Sequence, residues 1–309
     1  MTMSGLDPVG GDTTAGTVGD AGNLGDVTQS DPVLTARLAE LHARLAELPG
    51  LLVAFSGGAD SAFLLAAAVR ALGADRVVAA TAVSPSLPPT ELAAAAGFAR
   101  GLGVRHECPG TDEMAREGYR ANAGDRCYFC KAELLDVLGP LAARLGIAHV
   151  ATGTNADDAR AGFRPGIRAA AERGALTPLL DAGLTKTQVR AASRAWGLST
   201  WDKPAAACLS SRIAYGISIT PARLARVDAA EAALRGALVD AGYAVRDLRV
   251  RDLGEAGARV EVDRELVPVL TERPDLLAVV RGFDAVSVDP RGFRSGAMNE
   301  LLAEPGRYR

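Results

Sequence analysis

The chain has 309 residues, 48% of them apolar and 23% charged, with a formal net charge of −3. These values describe a globular protein long enough for two domains and a sizeable core; no uncharged apolar run reaches the roughly 18 residues of a membrane span. Asp7, Asp12, Asp20 and Asp26 leave the remainder at −3 + 4 = +1, and a near-neutral body argues against a broad nucleic-acid footprint.

Residues 1–32, rich in Gly, Thr, Asp and Val, have little to bury and read as a disordered tail. They carry neither the basic nor the apolar region of a secretory signal, so a cytoplasmic location with reduced thiols is expected. From residue 33 to 48, Leu34, Leu38, Leu41, Leu45 and Leu48 recur at helical spacing. "LLVAF" (Leu51 to Phe55) is a short apolar run of the kind found in buried parallel strands. A helix is expected from Ser61 to Leu72, a strand from Arg76 to Val83, a helix from Pro89 to Leu102 and a strand from Val104 to Cys108. A helix from Cys130 to Leu145 follows, and "HVATGTNADD" reads as strand then polar loop. This alternation predicts an α/β fold over 33–220, a doubly wound parallel sheet. Within it, 153–220 is loop-rich with one clear helix, Lys186 to Trp196. From Pro221 the order changes: a helix to Ala241, two strand-like runs ("VRDLRVRDL" and "ARVEV"), a helical stretch and "DAVSVD". Residues 221–309 are therefore expected to form a smaller α+β domain for substrate binding or oligomerisation.

"FSGGADS" joins the first strand to a helix. Gly57 and Gly58 permit backbone angles closed to other residues, Ser56 and Ser61 offer hydroxyls, and the amides opening the next helix favour an anion. The spacing is neither that of a Walker loop nor that of a dinucleotide fingerprint. It resembles the Ser-Gly-Gly-x-Asp-Ser loop of the PP-loop (N-type) ATP pyrophosphatases, which split ATP into AMP and pyrophosphate. Carried over by position, that likeness implies that Ser56, Gly57, Gly58 and Ser61 hold pyrophosphate, and that Asp60 organises magnesium and phosphates. "GTNADD" has the makings of the other half of such a site. Gly153, Thr154 and Asn155 sit at a strand's carboxyl end, where open α/β sheets bind ligands, and Asp157 and Asp158 supply hard oxygens for Mg2+.

The chain has four cysteines. Cys127 and Cys130 form a Cys-x-x-Cys pair in "RCYFCK"; Cys208 lies in "KPAAACLSSRIAYG" and Cys108 in "HECPG". The pair has the spacing of a redox dithiol, and all four could hold zinc. Cys127, Cys130 and Cys208 alone suit a 4Fe–4S cluster with one open iron, and Cys208 could also act alone as a sulfur nucleophile. Arg126, Lys131, Lys203 and Arg212 flank these thiols and are expected to favour thiolate. Cys108 reads as a buried bystander. Of 34 basic residues only Lys131, Lys186 and Lys203 are lysine, which points to roles that the broad guanidinium fork does not fill.

Taken in order, "SGGADS", "RCYFCK", "GTNADD", "FRPGIRA", "TPLL", "WDKPAAACLSSRIAYG" and "GFRSGAMNE" resemble the LarE family over about residues 33 to 303. Its members are ATP-dependent sulfur transferases that build the thiocarboxylates of the nickel-pincer cofactor of lactate racemase. The resemblance implies a PP-loop (adenine nucleotide α-hydrolase-like) fold, a homo-oligomer and a small pyridinium mononucleotide substrate, with no nucleic-acid or membrane partner. ATP, Mg2+ and a 4Fe–4S cluster on Cys127, Cys130 and Cys208 are the implied cofactors, because these cysteines match the cluster type of the family. In the sacrificial type the cysteine matched by Cys208 surrenders its own sulfur. Cys208, Asp60, Lys131 and Arg212 are the catalytic candidates. In the smaller domain Arg249, Arg251 and Arg259 suit a substrate phosphate, although a solvated strand face or subunit contact has the same pattern. Competing activities are tRNA thiolation by another PP-loop class and an NAD- or GMP-synthetase-like amidotransferase reaction.

Overall fold

The computed structural model describes residues 31–160, 165–204 and 208–302. Residues 1–30 of the expected 1–32 tail, the residues from 303 onward, and Phe163, Arg164 and Ala205 to Ala207 of the quoted stretches lie outside the described residues. Asp31 accepts hydrogen bonds at 3.0 Å from the amides of Val33 and Leu34 and so caps α1 (Pro32–Ala46), which starts one residue before the expected boundary. Its buried stripe is Leu34, Leu38, Leu41 and Leu45, as the spacing predicts, but the helix ends at Ala46, so Leu48 lies beyond it.

There follow β1 (Leu51–Ala54), α2 (Ala59–Leu72), β2 (Val77–Ala80), α3 (Pro89–Gly101), β3 (Arg105–Glu107), α4 (Glu117–Arg120), α5 (Arg126–Arg144) and β4 (Val150–Thr152). The four strands are parallel in the order β3-β2-β1-β4. Strand side chains alternate between faces, and both faces are covered. Leu51, Val53, Val77 and Ala79 pack with α1, α2 and α3, while Leu52, Ala54, Val78 and Ala80 pack on Leu138, Leu141 and Ala142 of α5. Two-sided burial explains why β1 and β2 read as unbroken apolar runs.

The stretch expected to be loop-rich contains α6 (Ala156–Arg160), α7 (Pro165–Glu172) and α8 (Pro178–Asp181) besides the expected α9 (Lys186–Ala195). The extra helices have five, eight and four residues, too short for a 3.6-residue period to stand out. Thr185 and Gln188 form a capping box that fixes the start of α9.

The smaller domain contains α10 (Pro221–Asp240), β5 (Leu248–Asp252), β6 (Ala258–Val262), α11 (Leu266–Glu272), α12 (Pro274–Leu277) and β7 (Val286–Val288). β5 and β6 are antiparallel, and β7 adds parallel to β6. Leu248, Val250, Val260 and Val262 face Leu234 and Leu238 of α10 and Leu266 and Leu270 of α11. The opposite face carries Arg249, Arg251 and Glu261, all buried. Leu209, Ile213 and Ile219 pack with Tyr119 of α4 and Leu224 and Val227 of α10, joining the smaller domain to the parallel sheet. Among the described residues no helix is long and apolar enough to cross a membrane.

Candidate functional site

The glycine turn lies at the carboxyl end of β1, the end at which open parallel sheets take ligands. Gly57 has φ +70°, a left-handed conformation that suits glycine. The cap of α2 is Gly58, which has no side chain to occupy the first-turn amides, so that turn is free to meet an anion. The two serine hydroxyls lie 3.1 Å apart. Ser61 Oγ donates to the Gly58 carbonyl at 3.1 Å and accepts from the Ser56 amide at 3.3 Å. Gly153 follows β4 and abuts this turn, with room for hydrogen but not for a methyl group.

Burial lifts the Asp60 carboxyl above its ordinary value, against the pull of Lys186; Asp158 pushes in the same direction as burial. Lys186 Nζ stands 3.9 Å from Asp60 Oδ2, and Asp60 Oδ1 is buried with no hydrogen-bond partner among the described residues. A hard cation completed by nucleotide phosphates suits this oxygen and Asp158, because Mg2+ takes one or two carboxylates together with substrate oxygens.

The remaining residues of the polar loop divide. Thr154 and Asp158 face the site. Asn155 is fully buried, and its Oδ1 accepts from the amides of Asp157 and Asp158 at 2.9 and 3.1 Å. Asp157 accepts from the amide of Lys186 at 2.8 Å. The structure thus gives Asn155 and Asp157 local tasks, ordering α6 and joining it to α9.

Two cavities of about 380 Å³ meet here. The first runs from Ser56, Gly58, Asp60 and Ser61 past Thr81, Ser84 and Glu113 to Cys130 and Cys208. The second contains Arg126, Cys127, Ser211, Tyr215, Arg249, Arg251 and the Phe293 to Asn299 stretch. Lys131, Thr154 and Asp158 line both and form the wall between them. Burial pushes the Lys131 ammonium below its ordinary pKa, opposed by Cys130 and Cys127.

α5 begins at Arg126, four residues before the expected start, so both cysteines of the pair lie on its first two turns. The thiolate expected from cationic neighbours does not hold for Cys130. Burial raises its pKa far above the ordinary thiol value, and Cys208 and Glu113 add to the rise. Cys127 and Cys208 both act electrostatically on Cys130 and on Tyr215, so the three thiols share one neighbourhood. Cys108, expected to be buried, is exposed. Among the described residues no three His, Cys, Asp or Glu side chains are arranged to hold a metal ion. Soft thiols are the right donors for an iron–sulfur cluster, and Cys127, Cys130 and Cys208, which share this neighbourhood, are the residues that would hold it.

Arg212 lines neither cavity. Its guanidinium pairs with Glu231 at 2.9 and 3.1 Å and donates to the Cys208 carbonyl at 3.0 Å. Arg251 faces the second cavity while paired to Glu261 at 2.7 Å. Arg249 lies over the Phe293 ring at 5.2 Å; burial and Arg212 lower its pKa to about 10, leaving it charged at neutral pH. Arg259 is engaged by Glu261 and Asp289 at 3.4 and 3.7 Å and lines neither cavity. The arginine face is thus buried within the chain, unlike a solvated strand.

Sequence reasoning passed over Glu113, Tyr119 and Tyr215. Glu113 is a buried carboxyl raised by burial and receives a hydrogen bond from Ser84 at 3.3 Å. Tyr119 and Ser210 share a 2.5 Å hydrogen bond beneath the Cys208 segment. Tyr215 lies 5.6 Å from the Arg126 guanidinium. Glu113 and Tyr119 belong to no local motif, so no sequence signal marks them, whereas Tyr215 lies in the "CLSSRIAYG" stretch, which is read for its cysteine and arginine.

No protein-family model matches the chain. It is 43% identical over 277 residues to an uncharacterized protein of Synechocystis sp., covering 88% of this chain and 100% of that one. Over 176 residues, 56% of this chain and 66% of the other, it is 26% identical to an uncharacterized protein of Methanocaldococcus jannaschii. It is 34% identical over 274 residues to the pyridinium-3,5-bisthiocarboxylic acid mononucleotide synthase of Lactiplantibacillus plantarum, covering 88% of this chain and 96% of that enzyme. With that identity sustained along nearly the whole of both chains, the protein belongs to the LarE family of pyridinium-3,5-bisthiocarboxylic acid mononucleotide synthases.

Proposed function

We propose that this enzyme is an ATP-dependent sulfur transferase that converts a carboxylate of pyridinium-3,5-biscarboxylic acid mononucleotide into a thiocarboxylate. One observation carries the reading. The phosphate turn and Cys208 line one cavity, the arginine-walled cavity adjoins it, and Lys131, Thr154 and Asp158 face both.

In this reading ATP lies in the first cavity, its terminal phosphates against Ser56, Gly57, Gly58 and Ser61. The mononucleotide lies in the second, with Arg249 and Arg251 toward its phosphate. A carboxylate oxygen attacks the α-phosphorus across the shared wall, and pyrophosphate leaves with the electron pair of the broken bond. Lys131 offsets negative charge gathering on the phosphoryl oxygens. Mg2+ held by Asp60 and Asp158 supplies further charge neutralisation when bound. The Cys208 sulfur, having given up its proton, then attacks the acyl carbon and AMP leaves. Loss of the Cys208 Cα proton to a base next breaks the Cβ–S bond, the electron pair leaving with sulfur, so the thiocarboxylate departs and dehydroalanine remains in the chain. The main contribution of the protein is to hold the two ligands in line. A 4Fe–4S cluster held by Cys127, Cys130 and Cys208 would supply sulfide in place of the Cys208 sulfur.

The test combines purified protein, MgATP and the biscarboxylic mononucleotide. Pyrophosphate and AMP are expected in equal amounts, with thiocarboxylate product and a Cys208 peptide lighter by one molecule of hydrogen sulfide. Pyrophosphate release without any sulfur in the product sinks the sulfur-transfer reading. An unchanged Cys208 peptide beside a sulfurated product moves the sulfur source to another group, and an iron and sulfide assay of anaerobically purified protein then decides for a cluster.

A further inference from the structure

All three lysines of the chain gather at the glycine turn. Lys131 lines the cavity below it, Lys186 stands 3.9 Å from Asp60, and Lys203 donates to the Gly57 carbonyl at 3.0 Å. A compact ammonium on a flexible stem fits this crowded turn better than a planar guanidinium; a Cβ on Gly57 would stand 3.3 Å from the Ala95 Cβ and 3.8 Å from Lys203 Nζ. Lys203 has a second partner, Glu91 Oε2 on α3, at 2.7 Å.

The backbone carrying Lys203 is fixed without its side chain. Arg190 of α9 donates to the carbonyls of Trp201 at 3.0 Å and Lys203 at 2.7 Å. Arg246, from the smaller domain, donates to the Asp202 carbonyl at 2.9 Å. With side-chain exposures of 21% and 27%, the Lys203–Glu91 pair is half-buried, and solvent still reaches and screens it. The arrangement instead keeps one cation at the rim of a turn built for phosphate, beside a carboxylate that competes for it.

Resting on the adenylation reading, we propose that Lys203 is a nucleotide-positioning residue that exchanges Glu91 for the terminal phosphates of ATP. The ammonium then stays with pyrophosphate as the bond from the α-phosphorus to its bridging oxygen breaks and the electron pair leaves with that oxygen. Lys203 changes hydrogen-bond partners and transfers no proton. Glu91 holds the cation in place beforehand, at the cost of weaker anion binding.

The test measures binding of inorganic pyrophosphate to the full chain by calorimetry, with the KM for MgATP measured alongside. Lys203→Met is expected to weaken both by roughly ten- to a hundredfold, the scale of one hydrogen bond to a charged group, and Lys203→Arg to recover part of the loss. Glu91→Gln is expected to tighten pyrophosphate binding by about two- to fivefold, because a pair that solvent still screens competes weakly. A structural pair predicts the opposite sign for Glu91→Gln, so weaker or unchanged binding there overturns the proposal, as does wild-type affinity in Lys203→Met. If Lys203→Met does not fold, Glu91→Gln decides alone. If the unaltered protein binds neither pyrophosphate nor MgATP, the adenylation reading fails first and takes this proposal with it.

Discussion

Arg212 donates to the backbone carbonyl of Cys208 at 3.0 Å while its guanidinium is clamped by Glu231. The segment that follows Cys208 is thus tied to α10 of the smaller domain through one ion pair, in which Arg212 is buried and Glu231 partly so. Removing one member of a buried pair leaves an uncompensated charge and costs about 3–5 kcal/mol. Glu231→Gln is therefore expected to lower the unfolding midpoint in denaturant and to slow sulfur transfer more than pyrophosphate release. Equal slowing of both steps shows that the pair does not position Cys208.

Gly153, just after β4, abuts the backbone of the glycine turn. A Cβ there would stand 2.8 Å from the Ser61 amide nitrogen and 2.9 Å from its Cα, so backbone must move to admit alanine. Overpacking of this kind costs about 1–3 kcal/mol. Gly153→Ala is expected to lose MgATP-dependent pyrophosphate release while keeping a folded far-ultraviolet spectrum, and retained activity contradicts the assignment of this turn.

The Asp60 carboxyl sits above its ordinary value because it is buried, with Lys186 opposing the shift. A raised carboxylate binds its proton more tightly in the folded state, so it destabilises the fold as pH rises from about 3.9, the unfolded value, through the folded one. Asp60→Asn removes that penalty. The variant is expected to be more stable than the parent at neutral pH, with the difference vanishing in acid, and to be inactive. Denaturant titrations at several pH values check the sign, and a variant less stable at neutral pH refutes it.

Cys130 is held as a thiol by burial and by neighbouring Cys208 and Glu113, whereas Cys127 is exposed. Iodoacetamide at pH 8 is expected to label Cys127 well before Cys130. Labelling of Cys130 should still be rising with pH where an ordinary thiol, with a pKa of roughly 8.5, has levelled off. Peptide mass spectrometry follows both sites, and equal rates dismiss the burial argument.

Arg249 faces the second cavity over Phe293. Arg249→Met is expected to raise the KM for the mononucleotide by roughly ten- to a hundredfold, leaving the KM for MgATP near its starting value. Steady-state kinetics with each substrate varied in turn separate the two effects; a shift confined to ATP reverses the assignment of the cavities.

Much of the fold is legible because its signals are local. Two-sided burial makes β1 and β2 continuous apolar runs, and Leu34, Leu38, Leu41 and Leu45 mark α1 by their period. The short helices α6, α7 and α8 escape because helices of four to eight residues carry too few turns to show a period. Within the site, Ser56, Gly58, Asp60 and Ser61 are readable from their motif, whereas Glu113 comes from a distant segment with no pattern of its own. Scarcity among cations pointed to Lys203, but not to its partner.

By itself the sequence determined the parallel sheet, the place of the glycine turn and the residues worth watching, because each follows from spacing along one stretch of chain. Only the tertiary structure decided which of those residues face a common space. Asp157 and Arg259 turn to local partners while Lys131 divides two cavities. The tertiary structure also decided the ionisation of Cys130, since burial by distant segments outweighs the charges next to it in the chain.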